Sequence, residues 1–142
     1  MHASSKSSVD PIRILIVDDF EPFRSGLRHF FDSFASLTVV GEAIDGKSAI
    51  ERASNLVPQV VIMDVKMPGM GGVEATRAIK KALPGTHVIS FSSQDDTLTQ
   101  DAMTAAGASA FVTKGCAHTL PLVIARITGL QIARAPFLEG SV

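Results

Sequence analysis

Three aspartates in this chain of 142 residues lie just after short apolar runs. Asp18 and Asp19 come after the run 12–17, and Asp64 comes after the run 60–63. Carboxylates that converge beside a hydrophobic core repel one another and raise their own pKa values unless a positive charge lies among them. Ligand sets made only of oxygen favour a hard cation such as Mg²⁺. If the fold brings the three aspartates together, they predict a Mg²⁺ site.

Hydroxyl groups and a lysine follow two later apolar runs. Ser92 and Ser93 come after the run 87–91, and Lys114 comes shortly after the run 109–112. An ammonium group and a hydroxyl that face a metal-binding cluster are suited to bind an anion that the metal also contacts. Taken singly, each would more often be a surface lysine or a loop hydroxyl, so the interpretation depends on the fold.

Short apolar runs alternate along the chain with longer segments of helical periodicity, which is the pattern of a parallel sheet covered by helices. Five runs are short enough to be strands, at 12–17, 37–43, 59–63, 87–91 and 109–112. Five helices are predicted between and after them, at 22–34, after Asp45-Gly46 and before Pro58, and at 73–83, 96–106 and 119–129. The sequence therefore predicts an α/β fold with a doubly wound, five-stranded parallel sheet.

This fold would bring the polar residues together, because ligands of an open parallel sheet bind at the carboxyl ends of its strands. All the aspartates, serines and the lysine named above follow predicted strands. The first helix places apolar residues at spacings of three and four on one face, and we expect that face to be core: Phe23, Leu27, Phe30, Phe31 and Phe34.

Composition and charge limit how many domains the chain forms and what kinds of partner it binds. A content of 46% hydrophobic residues suits one globular domain, which we place at 11–130, with a loose tail at 1–10 and a tail or linker at 131–142. The net charge of -1 without a basic run argues against nucleic-acid binding by this chain alone. No segment approaches the roughly 20 apolar residues that span a bilayer, and the lone Cys116 fits a reducing compartment. We expect a cytoplasmic protein that does not bind membranes.

Taken together, these residues resemble the receiver domain of two-component response regulators. The resemblance is carried by Asp18-Asp19 after the first strand, Asp64 in VVIMDVKMPGMGG, Ser92 in VISFSS and Lys114 in AFVTKG. It covers roughly residues 12–129. It implies the flavodoxin-like, or CheY-like, sheet with strand order 2-1-3-4-5.

For the chemistry, the resemblance implies that Asp64 is a nucleophile that is phosphorylated by a sensor histidine kinase or a phosphotransfer protein. Asp19, helped by Asp18, would hold Mg²⁺ together with the carboxylate of Asp64 and the main-chain carbonyl of Lys66. Lys114 would neutralise the phosphoryl oxygens. Such a domain is a signalling module that phosphorylates and dephosphorylates only itself.

The resemblance also implies a switch. The hydroxyl of Ser92 would move toward the phosphoryl group, and Phe111 occupies the position of the family's rotating aromatic ring, which more often points outward before phosphorylation. The added charge on Asp64 would bias a surface formed by the fourth helix, the fifth strand and the fifth helix. The fifth helix carries little charge, with Arg126 as its main charged residue. This surface is therefore a candidate for binding a second copy of the chain or a downstream protein partner.

Two segments, LIVDDFEPFRSGLRHFF and VVGEAIDGKSAIERA, resemble receivers of the NarL/FixJ class, which usually precede a helix-turn-helix DNA-binding domain. Only thirteen residues follow Gly129, so no such domain fits there. A stand-alone receiver, acting through protein contacts or in a phosphorelay, and the excised receiver of a transcription regulator both remain open. An aspartate-nucleophile phosphatase is a remote alternative, because it would need an aspartate at the position of Lys66.

Three further positions near the site vary within the family. Gly115 follows Lys114, where many receivers have a proline. Lys66 and Gln94 occupy the two positions that tune the lifetime of the acyl phosphate across the family. The identities of Lys66 and Gln94 do not by themselves predict the rate at which the acyl phosphate would be hydrolysed.

Overall fold

The structure is a computed structural model that describes residues 10–93 and 96–134. Most of the predicted N-terminal tail, the end of the predicted C-terminal tail and Gln94 lie outside the described residues. The proposed domain limits, 11–130, stay a prediction.

Five strands and five α-helices alternate along the described chain. The strands are β1 (Ile12–Val17), β2 (Leu37–Ala43), β3 (Val60–Met63), β4 (His87–Ser92) and β5 (Ala110–Thr113). The helices are α1 (Glu21–Asp32), α2 (Gly46–Leu56), α3 (Gly72–Ala82), α4 (Thr97–Ala106) and α5 (Leu120–Thr128). All strand pairs are parallel, in the order β2-β1-β3-β4-β5. The predicted fold and strand order are confirmed.

Local signals explain where the helices begin. At the start of α2, the Asp45 carboxylate accepts a hydrogen bond from the Ser48 N–H at 2.8 Å, and the Ser48 hydroxyl accepts one from the Asp45 N–H at 3.2 Å. Pro121 lies in the first turn of α5, where its missing N–H costs no helical hydrogen bond. A 3-10 helix, Lys114–Thr119, precedes α5 and was not predicted, because such short helices have no long apolar period. Within 10–93 and 96–134, no helix is both long and apolar enough to cross a membrane.

The sheet is buried on both faces. Alternate residues of β1 point to opposite sides, so Ile14 and Ile16 pack in the layer under α1 and α5, whereas Leu15 and Val17 pack in the layer under α2, α3 and α4. Strands that bury both faces need apolar residues at successive positions. This explains why β3 appears in the sequence as an unbroken apolar run, VVIM, and β1 as a nearly unbroken one, IRILIV.

Helix α1 buries less of its apolar face than predicted. Leu27 and Phe31 are buried, and Phe30 and Phe34 are partly buried against the same layer. The side chain of Phe23 is 37% exposed, so the prediction that it belongs to the core is wrong. Phe23 lies in the first turn of α1, and its ring contacts residues at the carboxyl end of the sheet.

Candidate functional site

The carboxyl ends of β1 and β3 hold two aspartates at fixed points. The N–H of Asp64 donates to the carbonyl of Val17 at 2.9 Å, and the N–H of Asp18 donates to the carbonyl of Ala43 at 3.0 Å. These bonds continue the parallel ladders one residue past each strand. Carboxylate oxygens of Asp18, Asp19 and Asp64 all lie within 4.8 Å of one another. The convergence predicted from the sequence is therefore present.

Burial and charge together make Asp64 a weaker acid than usual. Asp18 and Asp64 are buried, whereas Asp19 is exposed. Burial, followed by the charge of Asp18, raises the pKa of Asp64 to about 6, although Lys114 and the N–H of Val65 act in the opposite direction. Desolvation and a neighbouring like charge both disfavour the ionised form. Without a bound cation, ionisation of Asp64 therefore destabilises the folded protein.

Lys114 lies between the two buried carboxylates. Its Nζ is 2.7 Å from Oδ2 of Asp18 and 3.5 Å from Oδ1 of Asp64. It also lies over the ring of Phe23, 4.4 Å from the centroid, an arrangement in which the ring face attracts the ammonium group. The side chain of Lys114 is only 11% exposed, so its position is set by these contacts.

The two oxygens of Asp18 differ in their partners. Oδ1 accepts a hydrogen bond from the N–H of Phe20 at 2.9 Å. Oδ2 is buried and has no hydrogen-bond partner in the described part of the chain, although Nζ of Lys114 forms an ion pair with it at 2.7 Å. A buried carboxylate oxygen held only by a charge contact can accept a further cation. Three carboxylates facing one lysine, without histidine or cysteine, fit a hard divalent ion such as Mg²⁺.

A cavity of about 330 Å³ unites nearly all the predicted site residues. It is lined by Asp18, Asp19, Phe20, Phe23, Asp64, Lys66, Ser92, Ser93 and Lys114. Ser92 is the last residue of β4, rather than the first residue after it, and its side chain is buried. Phe111 does not line the cavity. It lies on β5 in register with Ser90 and is 37% exposed.

Two aromatic residues of the cavity were not predicted to belong to a site. Phe20 and Phe23 meet edge to face with centroids 5.9 Å apart, and Phe23 meets Phe91 in the same way at 6.4 Å. Phe20 is the N-cap residue of α1 and makes no side-chain capping bond. Ser, Thr, Asp or Asn is preferred at that position, so a phenylalanine there is the signal that could have identified it.

The loop between β3 and α3 is held by two glycines. The N–H of Gly72 donates to the carbonyl of Val65 at 2.8 Å, and the N–H of Gly46 donates to the carbonyl of Met70 at 2.9 Å. A Cβ atom on Gly72 would lie directly against the carbonyl oxygen of Asp64. The backbone that carries Asp64 and Lys66 is therefore packed too closely for a side chain at position 72.

Gly72→Ala should lower the free energy of unfolding by about 2 kcal/mol or more, because the backbone of Asp64 or the start of α3 must shift to admit the methyl group. Gly26→Ala is the matched control, since nothing lies within 4 Å of a Cβ at that helical position, and it should stabilise the protein by about 0.5–1 kcal/mol. Urea unfolding followed by far-UV circular dichroism measures both. Equal stability of Gly72→Ala and wild type would contradict the close packing.

Comparisons with known proteins agree with this geometry. The profile of the response regulator receiver domain family matches residues 14–125. Response regulator GacA of Pseudomonas viridiflava is 38% identical over 104 residues, which are 73% of this chain and 49% of that protein. The chain thus spans about half the length of the curated relatives it matches.

Solved structures are similar over most of the chain. A LuxR-family two-component response regulator from Aurantimonas sp. SI85-9A1 superposes with a TM-score of 0.80 and 31% identity, covering 86% of this chain and 89% of that one. The response regulator domain of Thermotoga maritima CheB gives a TM-score of 0.74 and 34% identity, covering 84% and 95%. Fold, site geometry and family profile agree, and the chain belongs to the response regulator receiver domain family.

Proposed function

We propose that this chain accepts a phosphoryl group on Asp64 from a phosphohistidine of a sensor histidine kinase or a phosphotransfer protein, in a reaction that requires Mg²⁺. One observation carries the proposal. The buried carboxylate of Asp64 shares a cavity with two further aspartates and with Lys114. A nucleophile, a cation-binding pair and a fixed positive charge are the components that phosphoryl transfer needs.

The chemistry assigns a role to each side chain. An oxygen of the Asp64 carboxylate attacks the phosphorus, the bond to the donor imidazole nitrogen breaks, and that nitrogen keeps the electron pair. Lys114 offsets the charge on the phosphoryl oxygens. Bound Mg²⁺, held by Asp18, Asp19, Asp64 and the main-chain carbonyl of Lys66, would supply further neutralisation of the same oxygens. Because the product is an acyl phosphate on the protein itself, the domain acts as a switch rather than as an enzyme on external substrates.

The response to phosphorylation would pass through Ser92 and Phe111. Ser92 is buried at the end of β4, beside the cavity, and could donate its hydroxyl to a phosphoryl oxygen. Phe111 is 37% exposed on the neighbouring strand, and its ring would turn inward on phosphorylation. The surface that would change includes Leu98 of α4, Phe111 and Leu122 of α5, which expose apolar side chains. We assign this surface to a homodimer or a downstream protein partner.

A second candidate is that the chain is the receiver of a longer DNA-binding regulator. The chain covers 49% of the length of GacA from Pseudomonas viridiflava, and this partial coverage is compatible with the second candidate. In both cases, the phosphoryl acceptor chemistry of Asp64 is the same, and the expected compartment is the cytoplasm. The full-length gene would distinguish the two.

The test uses phosphoramidate as the donor and intact-protein mass spectrometry as the readout. With Mg²⁺, wild-type protein should gain one phosphoryl group that hydroxylamine removes and that peptide mapping locates at Asp64. A parallel reaction in EDTA should give almost no adduct. An adduct on another residue, or equal yields with and without Mg²⁺, would contradict the proposal.

A further inference from the structure

Arg24 of α1 connects the aspartate pair to a distant strand. Its Nη1 donates to the main-chain carbonyl of Asp18 at 2.7 Å, and its Nε donates to Oε1 of Glu42 at 2.8 Å. The side chain of Arg24 is only 12% exposed. A guanidinium group can make both bonds at once because its donors are arranged in a rigid plane.

Glu42 is itself firmly placed. It lies on β2 in register with Ile16 of β1, and its second oxygen accepts from Nε of Arg28 at 2.9 Å and lies 2.8 Å from Nη2. Burial would raise the pKa of Glu42, but the hydrogen bonds and the positive charges of Arg24 and Arg28 together outweigh it and lower the pKa. Glu42 is therefore an ionised anchor that orients Arg24.

The β1–α1 connection needs such an anchor. Only residues 18–20 separate β1 from α1, and the N-cap residue, Phe20, makes no side-chain capping bond. The carboxylate of Asp18 accepts a hydrogen bond from the N–H of Phe20. The main-chain carbonyl of Asp18 accepts a second one from Arg24. Because that carbonyl belongs to the peptide joining Asp18 to Asp19, Arg24 fixes the plane from which Asp19 projects.

We propose that Arg24 is a positioning residue for Mg²⁺ binding, acting through the Asp18–Asp19 peptide and oriented by Glu42. This inference rests on the proposed function. Arg24 bonds to the main chain and to Glu42, so its role differs from that of the ligands.

A charge effect of Arg24 and a positioning effect would change the affinity for Mg²⁺ in opposite directions. If Arg24 acted only through its charge, removing it would make the site more negative and tighten cation binding. If it holds the peptide, removing it weakens binding.

The test is an NMR titration of ¹⁵N-labelled protein with Mg²⁺, followed through the amide signals of residues 18–20 and 64–66. Arg24→Ala should weaken Mg²⁺ binding by about tenfold. This lies at the low end of the loss of roughly 10- to 100-fold that follows when a residue that orients a metal ligand is removed. Arg24→Lys keeps the charge but cannot make both bonds, and it should also bind more weakly than wild type. Arg13→Ala is the matched control, because Arg13 donates to the carbonyl of Val57 at 2.8 Å, remote from the cavity.

The same spectra, recorded in EDTA, show whether each variant is folded. Should Arg24→Ala fail to fold, Arg24→Lys decides the question. Affinity in the Arg24 variants equal to or higher than that of wild type would overturn the inference, as would an equal loss in Arg13→Ala. Wild-type protein that binds no Mg²⁺ would instead overturn the proposed function, and the inference with it.

Discussion

Asp64→Asn should abolish the phosphoryl adduct while it stabilises the metal-free fold. The amide of asparagine lacks the anionic oxygen that attacks phosphorus, so phosphoramidate and Mg²⁺ should give no hydroxylamine-labile adduct by intact mass. Asp101→Asn is the control, since Asp101 is exposed on α4, and it should be phosphorylated like wild type. An adduct that persists in Asp64→Asn would contradict the assignment of the acceptor.

The gain in stability follows from the pKa of Asp64. In the folded protein without metal this pKa is about 6, above the value of about 3.9 for an unfolded aspartate. The folded state therefore binds more protons than the unfolded state between these values. The contribution of Asp64 to stability is full below about pH 4 and is lost as the pH rises through 6.

Asparagine removes this penalty because it carries no charge. In EDTA at pH 8, Asp64→Asn should unfold with a free energy about 2 kcal/mol higher than wild type, whereas at pH 4 the two should be nearly equal. Far-UV circular dichroism in urea is suitable, because the chain has no tryptophan or tyrosine for fluorescence. A difference that does not vary between pH 4 and pH 8 would show that Asp64 ionises normally.

Lys114→Met should slow phosphorylation by about 10²-fold, the usual loss when one donor to a developing oxyanion is removed. Methionine keeps the length and the apolar stem of lysine but not its charge. The rate is measured by intact mass over time with phosphoramidate and saturating Mg²⁺. Lys81→Met, at an exposed position on α3, should react like wild type.

The same substitution should alter how stability depends on pH. Lys114 lowers the pKa of Asp64, so without it that pKa rises further and the loss of stability extends to higher pH. In EDTA at pH 8, Lys114→Met should cost about 3 kcal/mol, because two buried carboxylates lose their shared partner. At pH 5, protonation of Asp64 should remove part of this loss of stability. A cost equal at both pH values would contradict the electrostatic role of Lys114.

The sheet was predictable because its central strands, β1, β3 and β4, are buried on both faces. That burial requires an apolar residue at every position, as in Val60 to Met63, and a short apolar run followed by helical periodicity is typical of such a strand. The aspartates were predictable for a related reason. A charged residue directly after such a run must leave the sheet at its carboxyl end, where parallel strands bring their ends together.

Contacts at helix ends were less predictable. Phe23 fits the apolar period of α1, and periodicity cannot show that the first turn lies over Lys114 instead of the core. The bond between Arg24 and Glu42 joins residues 18 positions apart on different elements. Neither residue looks unusual in the sequence, because an arginine on a helix and a glutamate on a strand are ordinarily solvated.

The amino-acid sequence by itself determined the α/β architecture, the strand order through family resemblance, and the identity of the residues at the sheet edge. Only the tertiary structure decided how their charges are balanced. It placed Lys114 between Asp18 and Asp64, raised the pKa of Asp64, and held the Asp18 carbonyl with Arg24. Local pattern reflects which residues are buried, whereas electrostatic interactions depend on distances between segments far apart in the chain.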